Sequence, residues 1–238
     1  MELFIITGSS RGIGKALVEK ILDRNDVEVY GLSRTNTNSH PQFHFIPVDF
    51  VSTNNLQHLS LPDGTPYSKI VLVNNAGMLG EVNHLGKLNS KTIVDVFAVN
   101  TVAPALLMNK FLSHYAESKA EKVIINISSG AGRHAIASWS TYCASKAALD
   151  MLSQTAQMEQ NEVGEKVSIF SVAPGVVDTQ MQAEIRTKPK ESFSQIERFI
   201  SLKESGNLAS PESVAVLLLK IVATPDRYHE VILDLRNL

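Results

Sequence analysis

The chain predicts a doubly wound α/β fold, with one parallel sheet covered by helices on both faces. Three observations predict it. Short apolar runs rich in β-branched residues alternate with helical patterns along the whole chain. Those runs are continuous rather than alternating in polarity, as strands buried on both faces are. The first run leads at once into a glycine-rich turn, Thr7-Gly8-Ser9-Ser10-Arg11-Gly12-Ile13-Gly14, and that turn opens a helix.

Seven strand runs fall at 3–7, 28–32, 43–48, 70–74, 122–127, 167–172 and 231–234. Helical patterns lie between them, near 14–24, 56–59, 90–96, 104–117, 141–159 and 211–222. The last has Ser210 as N-cap and Pro211 at its first position, where a missing N–H costs nothing. The segment 179–207 breaks the rhythm. It is polar, carries Lys188-Pro189-Lys190, and is too long for an ordinary connection. Two readings stay open for it, a lid over a site and a surface helix pair with no gating role. With no repeat and no low-complexity tract, residues 1–238 read as a single domain.

The 238 residues are 44% hydrophobic and 19% charged, with a formal net charge of −2. That suits a globule with a sizeable core. No basic stripe or acidic tail stands out, so nucleic acid and membrane surfaces are not expected partners. Cys143 is the only cysteine, which excludes an internal disulfide and predicts a reducing, cytoplasmic setting. The N-terminus enters a strand directly, with no signal-peptide pattern. The longest apolar helix candidate, 214–223, contains Lys220 and is too short to span a bilayer. The seven histidines form no ligand pattern, so no metal is expected.

Tyr142 and Lys146 stand four residues apart in a helical stretch, about one turn, and so project from one face. A free phenol has a pKa of about 10, too high for ready proton exchange near neutrality. A neighbouring ammonium favours the phenolate, so Lys146 is expected to lower the Tyr142 pKa. Such pairs also arise by chance on solvated faces, and their company decides. The glycines of the first turn let a backbone approach a pyrophosphate at a helix N-terminus. Their spacing is G-x-x-x-G-x-G, not the commoner G-x-G-x-x-G. The second strand ends in Ser33-Arg34, where an acidic residue would hold the ribose of NAD. With Arg11, these residues offer donors and positive charge to a 2′-phosphate, which predicts NADPH over NADH. Ser129 and Lys146 could also serve as hydrolytic nucleophile and base, but no nucleophile elbow flanks Ser129.

The turn 7–14, then Asn74-Asn75-Ala76-Gly77, Tyr142-x-x-x-Lys146 and Pro174-Gly175 follow in this order over essentially the whole chain. Together they resemble the short-chain dehydrogenase/reductase family. The stretches 142–152 and 173–182 resemble its sepiapterin reductase branch, and within that branch the chain is similar to microbial benzil reductases forming (S)-benzoin. The resemblance implies a Rossmann-type fold with a seven-stranded parallel sheet, and an NADPH-dependent carbonyl reductase. It implies that Tyr142 protonates the carbonyl oxygen and that Lys146 tunes it and holds the nicotinamide ribose. Ser129 would hydrogen-bond the carbonyl, while Ser128 points the other way by strand alternation. Asn100 would tie a water relay to the lysine. Gly8, Ser10, Arg11, Gly12, Ile13 and Gly14 would bind the cofactor, with Asp49 at the adenine. Asn74, Ala76 and Gly77 would line the cleft, and Pro174, Val177 and Thr179 would cradle the carboxamide and pyrophosphate.

A homodimer through 104–117 and 141–159 is implied in the same way. For the small-molecule carbonyl substrate, Trp139 is either a flat wall suited to aromatic ketones or a tryptophan packed at a helix start. Met181 and Ile185 would close over the substrate from the lid. Asp234 is the nearest candidate for the acidic group with which sepiapterin reductases hold a pterin. Rival readings are a 3-oxoacyl-thioester or sepiapterin reductase, and a noncatalytic NADP sensor or scaffold. A sensor would be free to lose Tyr142, Lys146, Ser129 or Asn100, and this chain has all four.

Overall fold

The seven apolar runs form seven strands of one parallel sheet in a computed structural model that describes residues 1–238, the side chain of Asn55 apart. The strands are β1 (Glu2–Thr7), β2 (Val27–Ser33), β3 (Phe43–Pro47), β4 (Lys69–Asn74), β5 (Glu121–Ile127), β6 (Val167–Ala173) and β7 (Ile232–Asp234). Their spatial order is β3-β2-β1-β4-β5-β6-β7. The chain runs outward from β1 to β3, then crosses back to place β4 beside β1. That reversal opens a crevice beyond the carboxyl ends of β1 and β4, where open α/β sheets bind ligands. The pairing Ile6↔Val73 sets the ends of these two strands level.

Successive residues of a strand face opposite sides, which explains the unbroken apolar runs. Phe4 and Ile6 join one core with Leu17, Ile21, Val123 and Leu218, under α1 (Gly12–Leu22) and α8 (Pro211–Ala223). Leu3 and Ile5 join the other with Leu72, Leu107, Phe111 and Ile169, under α4 (Ala103–His114) and α5 (Ser140–Glu162). Helix α8 begins as expected, with Ser210 Oγ accepting from the Ser213 N–H at 3.0 Å. Short α2 (Asn54–Gln57) follows β3.

Helix α3 (Ser90–Phe97) runs through a π-helical turn (Ala98–Val102) straight into α4. This corrects the expectation that 214–223 is the longest apolar helix. The continuous run Ser90–His114 is long and apolar enough to cross a membrane by length and composition. Here Val99, Ala103, Leu107 and Phe111 pack into the second core instead.

The segment 179–207 holds two helices, α6 (Gln180–Arg186) and α7 (Ile196–Glu204). It does not lie loose on the surface. Ile185, Phe193, Ile196 and Phe199 form a third cluster with Leu79, Val82, Trp139 and Tyr142, against the start of α5.

Candidate active site

Helix α5 buries Tyr142, Lys146, Leu149, Asp150, Ser153 and Ala156, a 3.6-residue stripe toward the sheet. Lys146 is only 4% exposed. Its Nζ donates to the carbonyl of Ile127 at 2.8 Å and lies 5.9 Å from the centroid of the Tyr142 ring. Ile127 ends β5, and Ser129 follows two residues later, half-buried, with its hydroxyl against the Tyr142 phenol. Ser129 Oγ also accepts from the Ala131 N–H at 3.2 Å. Ser128 is buried instead, in keeping with strand alternation. A Cβ at Gly132 would come within 2.8 Å of the Lys146 carbonyl carbon, so only glycine lets this loop press on α5.

Burial is the first influence on both titrating groups. It pushes the Tyr142 phenol up, and the Ser129 hydroxyl pulls it partly back. It pushes the Lys146 ammonium down to about 8, with the Asp150 carboxylate opposing. The expected lowering of Tyr142 by Lys146 is therefore corrected. Both groups have lost water, and desolvation is the largest influence on each.

Asn100 is wholly buried in the π-helical turn. Its Nδ2 donates to the Met78 carbonyl at 2.9 Å and to Ser145 Oγ at 3.0 Å, and its Oδ1 accepts from the Met78 N–H at 2.9 Å. The side chain thus clamps the loop after β4 to α5. A Cβ at Gly77 would lie 3.5 Å from Asn100 Oδ1 and 3.6 Å from Lys146 Nζ, so these three residues converge.

Across the crevice, the glycine turn is braced by Asn75, a residue of the Asn74–Gly77 motif to which spacing assigns no role. Its Nδ2 donates to the carbonyls of Thr7 and Gly8 at 2.9 and 3.1 Å. A Cβ at Gly14 would fall 2.2 Å from the Gly8 oxygen. No side chain caps the N-terminus of α1, and its first turn holds no acidic residue. Free backbone N–H groups at a positive helix end fit a pyrophosphate. Ser10 is half-exposed on this turn, while Ile13 packs into the first core. Gly12 faces Thr179, whose methyl would lie 3.3 Å from a Cβ there. Pro174 is half-buried, and Val177 is buried in a bridge to Ala209.

The remaining predicted residues divide into buried Asn74 and Ser33 and exposed Arg11, Arg34 and Asp49. Asn74 is 2% exposed and donates to Asn126 Oδ1 at 2.8 Å, bracing β4 against β5. Ser33 is buried and gives its proton to the Thr35 carbonyl at 2.8 Å, which leaves it no donor for a 2′-phosphate. Arg11 turns toward α6 and donates to Gln180 Oε1. Arg34 stays exposed at the end of β2, with no ion-pair partner among the described residues. Asp49 is exposed and accepts from the Val51 N–H at 3.1 Å.

Trp139 is not an open wall, because the Phe193 ring stacks on it at 5.3 Å and 10°. Ile185 and half-buried Met181 join the same cluster around Tyr142. Asp234 is taken by Arg236, which donates to it through Nε at 2.9 Å.

Comparison with known proteins agrees with this architecture. A family model described as short chain dehydrogenase matches residues 2–190. A benzil reductase ((S)-benzoin forming) of Bacillus subtilis (strain 168) is 39% identical over 93% of this chain and 93% of its own. The Bacillus cereus enzyme of the same name is 36% identical over 95% and 96%. The crystal structure of a short chain dehydrogenase/reductase from Saccharomyces cerevisiae is 26% identical, with a TM-score of 0.85 over 99% of this chain and 96% of its own.

Proposed function

The chain belongs to the short chain dehydrogenase family of nicotinamide-dependent oxidoreductases, and we propose that it is an NADPH-dependent reductase of α-diketones and related aromatic carbonyls. Benzil reduced to (S)-benzoin is the type reaction, by likeness to the two Bacillus enzymes. One observation carries the mechanism. The Tyr142 phenol, the Ser129 hydroxyl and the Lys146 ammonium gather at the end of β5, beside the bare Cα of Gly77.

When bound, the cofactor supplies hydride to the carbonyl carbon. The glycine turn and the α1 N-terminus hold its pyrophosphate, and Lys146 holds the nicotinamide ribose. Ser129 donates to the substrate oxygen, and Tyr142 gives that oxygen its proton as negative charge grows there. A phenol pushed up by burial stays protonated at neutral pH, which suits an acid in the reductive direction. Lys146 then stabilises the phenolate left behind. Arg34 meets the 2′-phosphate. The protein acts as a cytoplasmic homodimer, and its partner is the small carbonyl substrate.

The test is cofactor absorbance on mixing the protein with NADPH and benzil, with β-keto thioesters and sepiapterin as comparison substrates. Consumption with benzil is expected. No consumption with benzil or any other α-diketone overturns the proposal. Tyr142→Phe is expected to cut kcat at least about 100-fold, the usual scale of general acid catalysis. Its NADPH affinity should stay within about twofold, as measured by fluorescence titration.

A further inference from the structure

We propose that Phe193 is a positioning residue for Tyr142. Stacked on Trp139, whose ring meets Tyr142 edge-on, it makes seating of the 179–207 segment and setting of the phenol a single event. This rests on Tyr142 being the acid of the proposed reduction.

Three contacts form the chain. Phe193 is fully buried between α6 and α7, and it lies on Trp139 at 5.3 Å and 10°. Trp139 meets the Tyr142 ring at 5.6 Å and 83°, the edge-to-face arrangement that aromatic quadrupoles favour. Phe199 of α7 closes the group, 5.4 Å from Trp139 and 5.5 Å from Phe193. Gln182 of α6 donates to the Phe199 carbonyl at 3.1 Å, so the two helices carry the rings as one body.

The start of α5 is held by these rings beside two backbone bonds, from the Asn83 N–H to the Ser138 carbonyl at 3.2 Å and from the Trp139 N–H to the Ile136 carbonyl at 3.1 Å. The Trp139 indole N–H is buried without a hydrogen-bond partner. No side chain caps α5. Ser138, just before it, is the only non-glycine residue of positive φ among the described residues, at 71°. Such a conformation persists only where its surroundings enforce it. Tyr142 sits in the first turn of this helix, so the ring stack fixes the backbone that aims the phenol.

Trp139 is the only tryptophan, so its emission reads the stack directly. The experiment compares Phe193→Leu and Phe193→Met with Ile196→Val, which thins the same cluster but leaves every aromatic ring in place. Acrylamide quenching of Trp139, read without substrate, is expected to rise at least about threefold in both Phe193 variants and to stay unchanged in Ile196→Val. kcat for benzil is expected to fall about 3- to 10-fold in the Phe193 variants, the worth of one aromatic pair. NADPH affinity should stay within about twofold. Should Phe193→Leu fail to fold, Phe193→Met decides. Native kcat in the folded Phe193 variants, or a fall no larger than that of Ile196→Val, overturns the positioning role. If Tyr142→Phe is inactive while the Phe193 variants keep native kcat, only this inference fails. Full turnover by Tyr142→Phe removes the acid role itself.

Discussion

Lys146 is a cation almost without water, and the fold bears that cost for the sake of the site. Its ammonium is held down to about 8, against an ordinary value near 10.5. Below pH 8 both the native and unfolded chains carry the proton, and the full burial penalty stands. Between about 8 and 10.5 the unfolded chain binds more protons than the native one, so Lys146 makes native stability rise with pH. Lys146→Met lacks this slope. The melting temperature of the variant relative to the native chain is therefore expected to fall over that window, by calorimetry at pH 7, 9 and 10.5. A flat difference would mean the lysine titrates elsewhere. The same titration sets a limb in kcat/KM for NADPH, which should decline above about pH 8 as the charge is lost. At Arg34 the expectation is a specificity change. Arg34→Ala should weaken NADPH binding about 10- to 100-fold, the worth of a charge-assisted bond, and leave NADH nearly unchanged by titration calorimetry. The Tyr142–Lys146 pair was legible in the sequence because helical spacing alone aligns it. The roles of Asn74 and Ser33 were not, because what a hydroxyl or amide bonds to depends on strands distant in the chain.

At the scale of elements, α5 is tied to the rest of the site by a buried strut. Asp150, two turns beyond Tyr142, accepts from Ser171 Oγ of β6 at 2.6 Å and from Arg133 Nε at 3.2 Å. Arg133 follows the loop after Ser129 and also donates to the Leu233 carbonyl of β7 at 3.1 Å. One carboxylate thus fixes the serine loop, helix α5 and two strands to one another, and it supports the charge on Lys146. Asp150→Asn is expected to cost about 2–4 kcal/mol in urea unfolding, below the full buried-pair penalty because Arg133 keeps 25% exposure. It should also move the alkaline limb of kcat/KM to lower pH, since Lys146 loses its only opposing carboxylate. A stability loss with an unmoved limb would make Asp150 purely structural. Element order and type were legible because the central strands β1, β4, β5 and β6 are buried on both faces and so nearly unbroken in polarity, while the edge strands β3 and β7 are only partly buried. The continuity of α3 with α4 was not, because Asn100 and Pro104 interrupt the pattern where a π-helical turn carries the helix through. A helix pair was one of the two readings open for 179–207, but the inward packing of α6 and α7 was hidden by their polar outer faces. Their inner residues, Ile185, Ile196 and Phe199, find a core only once Trp139 is in place.

For the whole molecule, the sheet topology explains why one face of α5 makes the site while the other is left to solvent. The inward stripe ends at Tyr142 and Lys146, at the carboxyl edge of the sheet. The outward side exposes Met151 at 62% and Met158 at 64%, two turns apart, with Val102 at 41% where α4 begins. The continuous apolar strands forecast the internal cores, but no periodicity tells which outward side chains meet another molecule. A two-fold contact between copies would bury this stripe against itself, since isologous interfaces pair the same patch on both subunits. Glutamates at both positions would set four like charges into such a contact, an arrangement that a low-dielectric interface does not tolerate. The double variant Met151→Glu, Met158→Glu is therefore expected to sediment as a monomer where the native chain sediments as a dimer. Because α5 carries the proposed acid on its opposite face, loss of the partner should also lower the melting temperature and kcat together. A native chain that is monomeric at micromolar concentration, or a charged variant that remains dimeric, would move the subunit contact away from α5.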